Sequence, residues 1–256
     1  DLNKTYQADV AILEDAKLAL RDIIEAVKDR VPIGKRGLKN EVTQEISQSR
    51  TKWLNEWMPT FTDPSTPTNG YRVVHDLMQI TDRDKTIAIH DAGGSRGYIT
   101  QFWVSTRPQK FVAMGGMAPM GWSMGAAIGA KLGRPDHLVV LLLGDASFGM
   151  TGMEIETAVR MNAPTLTVVI NNGGIGGGIM GIERPDGNPP EVALLGGDFS
   201  QVARGLGAYS ERVEQPDEIG PAFVRAIRST EEGRAALVEV MIKPMRTPDL
   251  PDDWSL

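Results

Sequence analysis

Leu138-Val139-Val140-Leu141-Leu142-Leu143-Gly144-Asp145-Ala146-Ser147 is the stretch on which the fold turns. Its unbroken apolar run leaves no polar face. A strand with one wet face alternates apolar and polar residues, whereas a parallel strand covered on both faces reads as a continuous apolar run. Leu166-Thr167-Val168-Val169-Ile170, just before Asn171-Asn172-Gly173-Gly174, has nearly the same character. Outward from these two, strands are predicted at Thr86–His90, Phe111–Met114, Leu138–Leu143, Thr165–Ile170, Ala208–Val213 and Ala236–Ile242. Helices are predicted between them, at about 69–80, 96–105, 121–132, 149–161, 198–205 and 216–229. Such alternation predicts an α/β fold, a doubly wound and mostly parallel sheet flanked by helices. Ligands of these sheets bind beyond the carboxyl ends of the strands.

The chain has 256 residues, enough for one large domain or a domain with an appendage. Hydrophobic content of 41% and charged content of 23% are ordinary globular values. A net charge of -6 with no basic run argues against nucleic acid, whose phosphates require clustered Lys and Arg. The absence of cysteine excludes disulfides, thiol nucleophiles and iron–sulfur clusters, and fits a cytoplasmic location. No apolar run reaches the roughly 18 residues of a transmembrane helix, so no membrane partner is expected.

Near the start, Ala8–Leu13 reads as a strand and Asp15–Lys28 as an amphipathic helix, with Leu18, Leu20, Ile23, Ile24 and Val27 along one side. One strand and one helix bury no core of their own. Residues 1–30 are therefore expected to close a domain whose body lies elsewhere. Gly34, Gly37, Pro59, Pro64 and Pro67 mark 31–67 as a linker. Inside it, Trp53 and Trp57 are spaced for a helix docking two indoles, with substrate stacking as the rival reading. Residues 68–243 form the α/β domain, and 244–256 an irregular Pro- and Asp-rich tail.

Three predicted strand ends carry chemistry: His90-Asp91-Ala92-Gly93-Gly94-Ser95, Gly144-Asp145-Ala146-Ser147 and Asn171-Asn172-Gly173-Gly174-Ile175. Asp145 offers a carboxylate oxygen and Asn172 an amide oxygen. Mg2+ prefers such hard ligands and commonly combines one or two protein groups with phosphate oxygens and water. Small residues let backbone N–H groups approach a phosphate, and a helix starting near Ser147 points its positive end the same way. Alone, Gly144-Asp145 reads equally as a helix cap, and Asn171-Asn172-Gly173-Gly174 as a turn. Together, one helix and one strand apart, they describe a magnesium–diphosphate site on adjacent strand ends.

Gly144–Asn172 resembles the signature of thiamine diphosphate (ThDP)-dependent enzymes: Gly-Asp-Gly, some two dozen residues, then Asn-Asn. The resemblance is to the acetolactate synthase, 2-hydroxyacyl-CoA lyase and oxalyl-CoA decarboxylase superfamily. It implies the ThDP diphosphate-binding fold, preceded by the closing strand and helix of a middle domain. By this resemblance Asp145, Asn172 and the carbonyl of Gly174 hold Mg2+. Ala146 stands where the signature has its third glycine, which bears on how closely backbone approaches phosphate there. Gly116–Ala130 is similar to the family segment that wedges a bulky apolar residue under the cofactor and bends it. Met120 takes that position, and the Ala118 carbonyl accepts from the cofactor's amino group. The plain alternative is that Met117, Met120 and Met124 form a core face. Gly94 and Ser95 align loosely with a diphosphate-side loop; Gly144, Ala146, Ser147 and Ile175 complete the expected cofactor contacts.

The resemblance implies making or breaking a carbon–carbon bond next to a carbonyl, with a 2-oxo or 2-hydroxy acid or an acyl-CoA as substrate. It also implies a Glu on a separate pyrimidine-binding domain that activates the cofactor, and a homodimer or homotetramer. That domain is expected upstream in the same polypeptide or on a second subunit. Glu154 and Glu156 read as packing or interface residues, and His75, His90 and His137 as satisfied or solvated, His90 keeping a rival reading as a base. Gly176–Gly178, Ile179, Met180, Glu183 and Arg184 border substrate in the family and read as either lid or surface loop. Three functions compete: a 2-hydroxyacyl-CoA lyase or decarboxylase, an acetolactate synthase-type carboligase, and a non-catalytic phosphate-binding module.

Overall fold

The computed structural model describes residues 2–35, 41–175 and 194–243. The calls on 176–184 and on the 244–256 tail lie outside them. Two compact units are distinguished, Asp1–Glu56 and Trp57–Leu256.

In the first unit, helix α1 (Ala16–Arg30) begins where predicted. The Asp15 side chain caps it by accepting from Lys17 N and Leu18 N at 3.0 and 3.2 Å. No residue of α1 is buried. Ala8–Leu13 does not form the expected strand. A strand needs a neighbour for its N–H and C=O groups, and among the described residues none pairs with it. Within the expected linker 31–67 the helix anticipated around Trp53 and Trp57 is present. Glu41–Phe61 forms helix α2, which carries Pro59 in its last turn. Trp57 packs against Tyr71 and Phe102 at ring separations of 5.0 and 4.9 Å, as the docking reading of that indole anticipated.

The second unit alternates as expected. The order is α3 (Gly70–Ile80), β1 (Thr86–His90), α4 (Gly94–Phe102), β2 (Phe111–Val112), α5 (Trp122–Gly133), β3 (Leu138–Gly144), α6 (Asp145–Thr151), α7 (Glu154–Arg160), β4 (Leu166–Asn171), α8 (Phe199–Gly205), β5 (Tyr209–Val213), α9 (Ile219–Glu231) and β6 (Ala236–Met241). The predicted helix over 149–161 is two helices, and the first starts directly at the end of β3. All six strands are parallel, in the order β2-β1-β3-β4-β6-β5.

Strand alternation sends Val139, Leu141, Leu143 and Val169 to one face, into a core with Met124, Ala127, Ile155 and Ala158 of α5 and α7. Val140, Leu142 and Val168 are equally buried and point to the opposite face. This two-sided burial is what the apolar run required; each fully buried Leu or Val contributes about 1.5–3 kcal/mol relative to exposure.

Two features of the topology place the site. The register pairs His90 with Leu142, Gly144 with Ile170 and Asn171 with Met241, so the carboxyl ends of β1, β3, β4 and β6 finish nearly level. From β1 the chain passes to β2 on one side and then to β3 on the other. The crevice between β1 and β3 is thus the switch point of a doubly wound sheet.

Candidate functional site

A cleft of about 80 Å3 lies at this switch point, lined by Gly93, Gly94 and Ser95 after β1, Gly144–Ser147 after β3, Asn172 and Ile175 after β4, and Met120 before α5. Pockets that enclose a drug-sized ligand measure roughly 300–1,000 Å3. The cleft therefore accommodates one end of such a ligand. A Cβ built at Gly93 or Gly144 meets no atom within 4 Å, so these glycines face open space. Gly93 has φ 75°, a left-handed conformation that turns the chain from β1 into α4. Gly94 and Ser95, which begin α4, line the cleft, and the Ser95 hydroxyl donates to Ala92 O at 3.0 Å.

The Asp145 carboxylate is buried at the start of α6. Its Oδ1 accepts from Ala146 N at 2.7 Å and its Oδ2 from Gly174 N at 2.8 Å. Burial pushes this carboxyl above the ordinary carboxylate range, against the pull of the Ala146 and Gly174 N–H groups. One terminal atom of the Asn172 amide lies 2.9 Å from Gly174 O and 3.2 Å from Asp145 Oδ2. Turned one way, the amide nitrogen donates to both. Turned the other way, three oxygens converge, an arrangement that needs a cation between them. Ligands about 2.1 Å from Mg2+ in an octahedron stand about 3.0 Å apart along an edge, which matches these separations. A divalent cation also compensates the buried charge of Asp145. The donor set therefore fits such an ion, with the cleft beside it open to its anionic partner.

Beneath this loop, Asn171 is tied down at both ends of its amide. Nδ2 donates to Glu239 Oε1 at 2.7 Å, and Oδ1 accepts from Gly173 N at 2.9 Å. Gly173 has φ 75°. Glu239 is fully buried in β6, and its Oε2 accepts from Ser200 N at 3.0 Å. Burial pushes its carboxyl up, while the Asn171 and Ser200 bonds pull it down.

The Met120 segment is held from β1. Asp91, with no exposed surface, accepts from Gly121 N at 3.0 and 3.1 Å, from Ser123 N at 3.2 Å, from Ala92 N at 2.8 Å, and from the Ser123 hydroxyl. Gly121 has φ 84°, and Thr151 Oγ1 donates to its carbonyl at 3.1 Å. Met120 is 37% exposed and borders the cleft, so it is no core residue; Met124 is the buried one. Ala118 does not line the cleft. It sits two residues earlier at φ 45°, an unusual conformation for a side-chain-bearing residue before proline.

Histidines lie elsewhere. His90 is buried and its Nδ1 donates to Asp91 O at 2.9 Å, pointing away from a role as a free base. His75 stacks on Phe61, and His137 is buried against Lys110. Glu156 pairs with Arg160 at 3.0 Å on α7. Sequence reasoning placed Asp91 in a loop without seeing its bracing role, and missed Glu239. The one visible signal for Glu239 was a charged residue inside the apolar run Ala236-Leu237-Val238-Glu239-Val240-Met241.

Residues 91–240 match the family described as thiamine pyrophosphate enzyme, C-terminal TPP binding domain. An acetolactate synthase large subunit from Mycobacterium tuberculosis is 34% identical over 78% of this chain and 36% of its own length. A 2-hydroxyacyl-CoA lyase from Saccharomyces cerevisiae is 28% identical over 99% of this chain and 45% of its own. A solved chain from Mycobacterium smegmatis, assigned to the thiamin diphosphate-dependent enzymes, superposes with a TM-score of 0.61 at 26% identity, over 72% of this chain and 34% of that one. The chain belongs to the thiamine pyrophosphate enzymes, as their C-terminal cofactor-binding domain, and thiamine diphosphate is its cofactor. It spans less than half the length of these curated relatives.

Proposed function

We propose that this chain supplies the diphosphate- and Mg2+-binding half of an active site that cleaves or forms a carbon–carbon bond next to a carbonyl, of the 2-hydroxyacyl-CoA lyase or 2-oxoacid/acyl-CoA decarboxylase type. The observation that carries this reading is the convergence of Asp145 Oδ2, the Asn172 amide and Gly174 O beside an open, glycine-lined cleft. Asp145, Asn172 and the Gly174 carbonyl hold the metal. Gly94, Ser95, Ala146 and Ser147 would lie against the diphosphate, with Gly144 leaving room for it and Ile175 at the rim. Met120 would support the cofactor, and the Ala118 carbonyl would accept from its amino group. Bound ThDP supplies a carbon nucleophile for the substrate carbonyl and an electron sink for the bond that breaks. The residues here bind, orient and electrostatically compensate; activation falls to a Glu on a pyrimidine-binding domain, upstream in the polypeptide or on a second subunit, in a cytoplasmic homodimer or homotetramer. Among the described residues no helix is long and apolar enough to cross a membrane.

A second reading, an acetolactate synthase-type carboligase, is favoured by the 34% identity to the M. tuberculosis protein. Calorimetric titration of the chain with ThDP at fixed Mg2+ tests the shared part. Asp145→Ala is expected to weaken binding at least tenfold, and unchanged affinity removes both readings. Supplying pyruvate or a 2-hydroxyacyl-CoA to the full-length polypeptide separates them, since acetolactate from pyruvate selects the carboligase.

A further inference from the structure

We propose that Glu239 is a positioning residue for the metal loop, acting through Asn171; this rests on the ThDP–Mg2+ reading of the site. A carboxylate only accepts hydrogen bonds, so Glu239 fixes which end of the Asn171 amide faces it. The nitrogen must point to Glu239 Oε1, at 2.7 Å, and the oxygen is left to accept from Gly173 N, at 2.9 Å. That second bond holds Gly173 in its left-handed turn at φ 75°. From this turn the Asn172 amide and Gly174 O come together, and Gly174 N reaches Asp145 Oδ2 at 2.8 Å. The other carboxylate oxygen is occupied by Ser200 N at 3.0 Å, and Arg212 Nη1 stands 3.7 Å from Oε1. Glu239 therefore has no freedom to turn, and its orientation passes along a single line of bonds to the metal-binding atoms. A residue that orients a metal loop in this indirect way typically changes metal affinity by about 10–100-fold when replaced.

The decisive variant is Glu239→Gln, which keeps the shape but presents either an oxygen or a nitrogen to Asn171. Its companion is the reciprocal exchange N171D/E239Q. There the glutamine nitrogen donates to the carboxylate introduced at position 171, which also accepts from Gly173 N, while the glutamine oxygen accepts from Ser200 N. Mg2+ is titrated into the whole chain at saturating ThDP and followed by intrinsic tryptophan fluorescence. Amide exchange at Gly173 is measured without ligands. Glu239→Gln is expected to weaken Mg2+ at least tenfold and to speed Gly173 exchange, and the reciprocal pair to recover wild-type affinity within about threefold.

Mg2+ affinity of Glu239→Gln within twofold of wild type overturns the proposal. So does a folded reciprocal pair more than tenfold weaker than wild type. If Glu239→Gln does not fold, the reciprocal pair decides by the same limits. If neither folds, Glu239 is a folding residue and the proposal falls. Failure of the cofactor reading is recognised separately: wild type shows no Mg2+-dependent ThDP binding, or Asp145→Ala binds as wild type does.

Discussion

Replacing Asp91 with Asn removes one acceptor from a buried carboxylate while leaving its volume almost unchanged. Oδ1 serves Ala92 N and Gly121 N; Oδ2 serves Gly121 N, Ser123 N and the Ser123 hydroxyl. An amide keeps one oxygen. If its nitrogen takes the Oδ2 position, Ser123 N faces another donor. If it takes the Oδ1 position, Ala92 N does. The hydroxyl of Ser123 can rotate to accept, but a backbone N–H cannot. One buried donor stranded costs about 1–3 kcal/mol, and the remaining bonds fall from charge-assisted to neutral strength, together roughly 2–5 kcal/mol. For a unit of about 200 residues, 1 kcal/mol moves Tm by about 2–4 °C, so Asp91→Asn should melt roughly 4–20 °C below wild type. Circular dichroism on heating measures this, with Ser123→Ala, which removes one hydrogen bond to the charged carboxylate, expected to lose about 1.5–3 kcal/mol. A variant melting within 1 °C of wild type refutes the claim that Asp91 braces the Met120 segment. A second consequence separates bracing from general stability: below its melting range, Asp91→Asn should bind ThDP more weakly than Ser123→Ala does.

Two further predictions probe the same unit. Gly121→Ala places a Cβ 2.8 Å from Thr151 Cγ2 at φ 84°, combining a left-handed strain of about 1–2 kcal/mol with a steric clash; Thr151→Ser should relieve the clash and leave the strain, seen as partial recovery of Tm in the double variant. Asp63 accepts from Lys243 Nζ at 2.9 Å and from Ser65 N at 2.9 Å, and these bonds, Lys243 first, hold its carboxyl well below the usual carboxylate range. A carboxyl lowered on folding stabilises above its unfolded value near 4 and loses that contribution as pH falls toward its folded value. Urea unfolding at pH 6 and pH 3 should therefore show wild type losing more stability than Asp63→Asn, by no more than about 1 kcal/mol for so exposed a pair; equal losses contradict the assignment.

The central strands of the sheet were legible because burial on both faces leaves a mark inside them, and the Leu138–Leu143 run needs no knowledge of its neighbours to be read. Ala8–Leu13 has the composition of a strand but no partner among the described residues, and within 31–67 the Trp53 and Trp57 spacing showed a helix but not its full extent, Glu41–Phe61. The break between α6 and α7 falls at Gly152, where a Cβ would meet Phe148 O at 2.6 Å, a contact that local propensity does not reveal. The candidate site divides in the same way. Asp145 and Asn172 directly follow apolar strands, and the pairing of Gly144 with Ile170 brings the two strand ends level, so their placement at adjacent strand ends was legible in the sequence. The placement of the Met120 segment depends on Asp91 meeting Gly121 and Ser123, and that of the loop after β4 on Glu239 meeting Asn171 across the sheet. Those pairs are joined only by folding. A charged residue inside an otherwise apolar strand is the trace they leave, because a buried carboxylate is costly unless each oxygen has a donor. Reading such a residue as a demand for nearby donors, before any fold is known, turns Glu239 from an exception in β6 into a pointer toward the loop beside it.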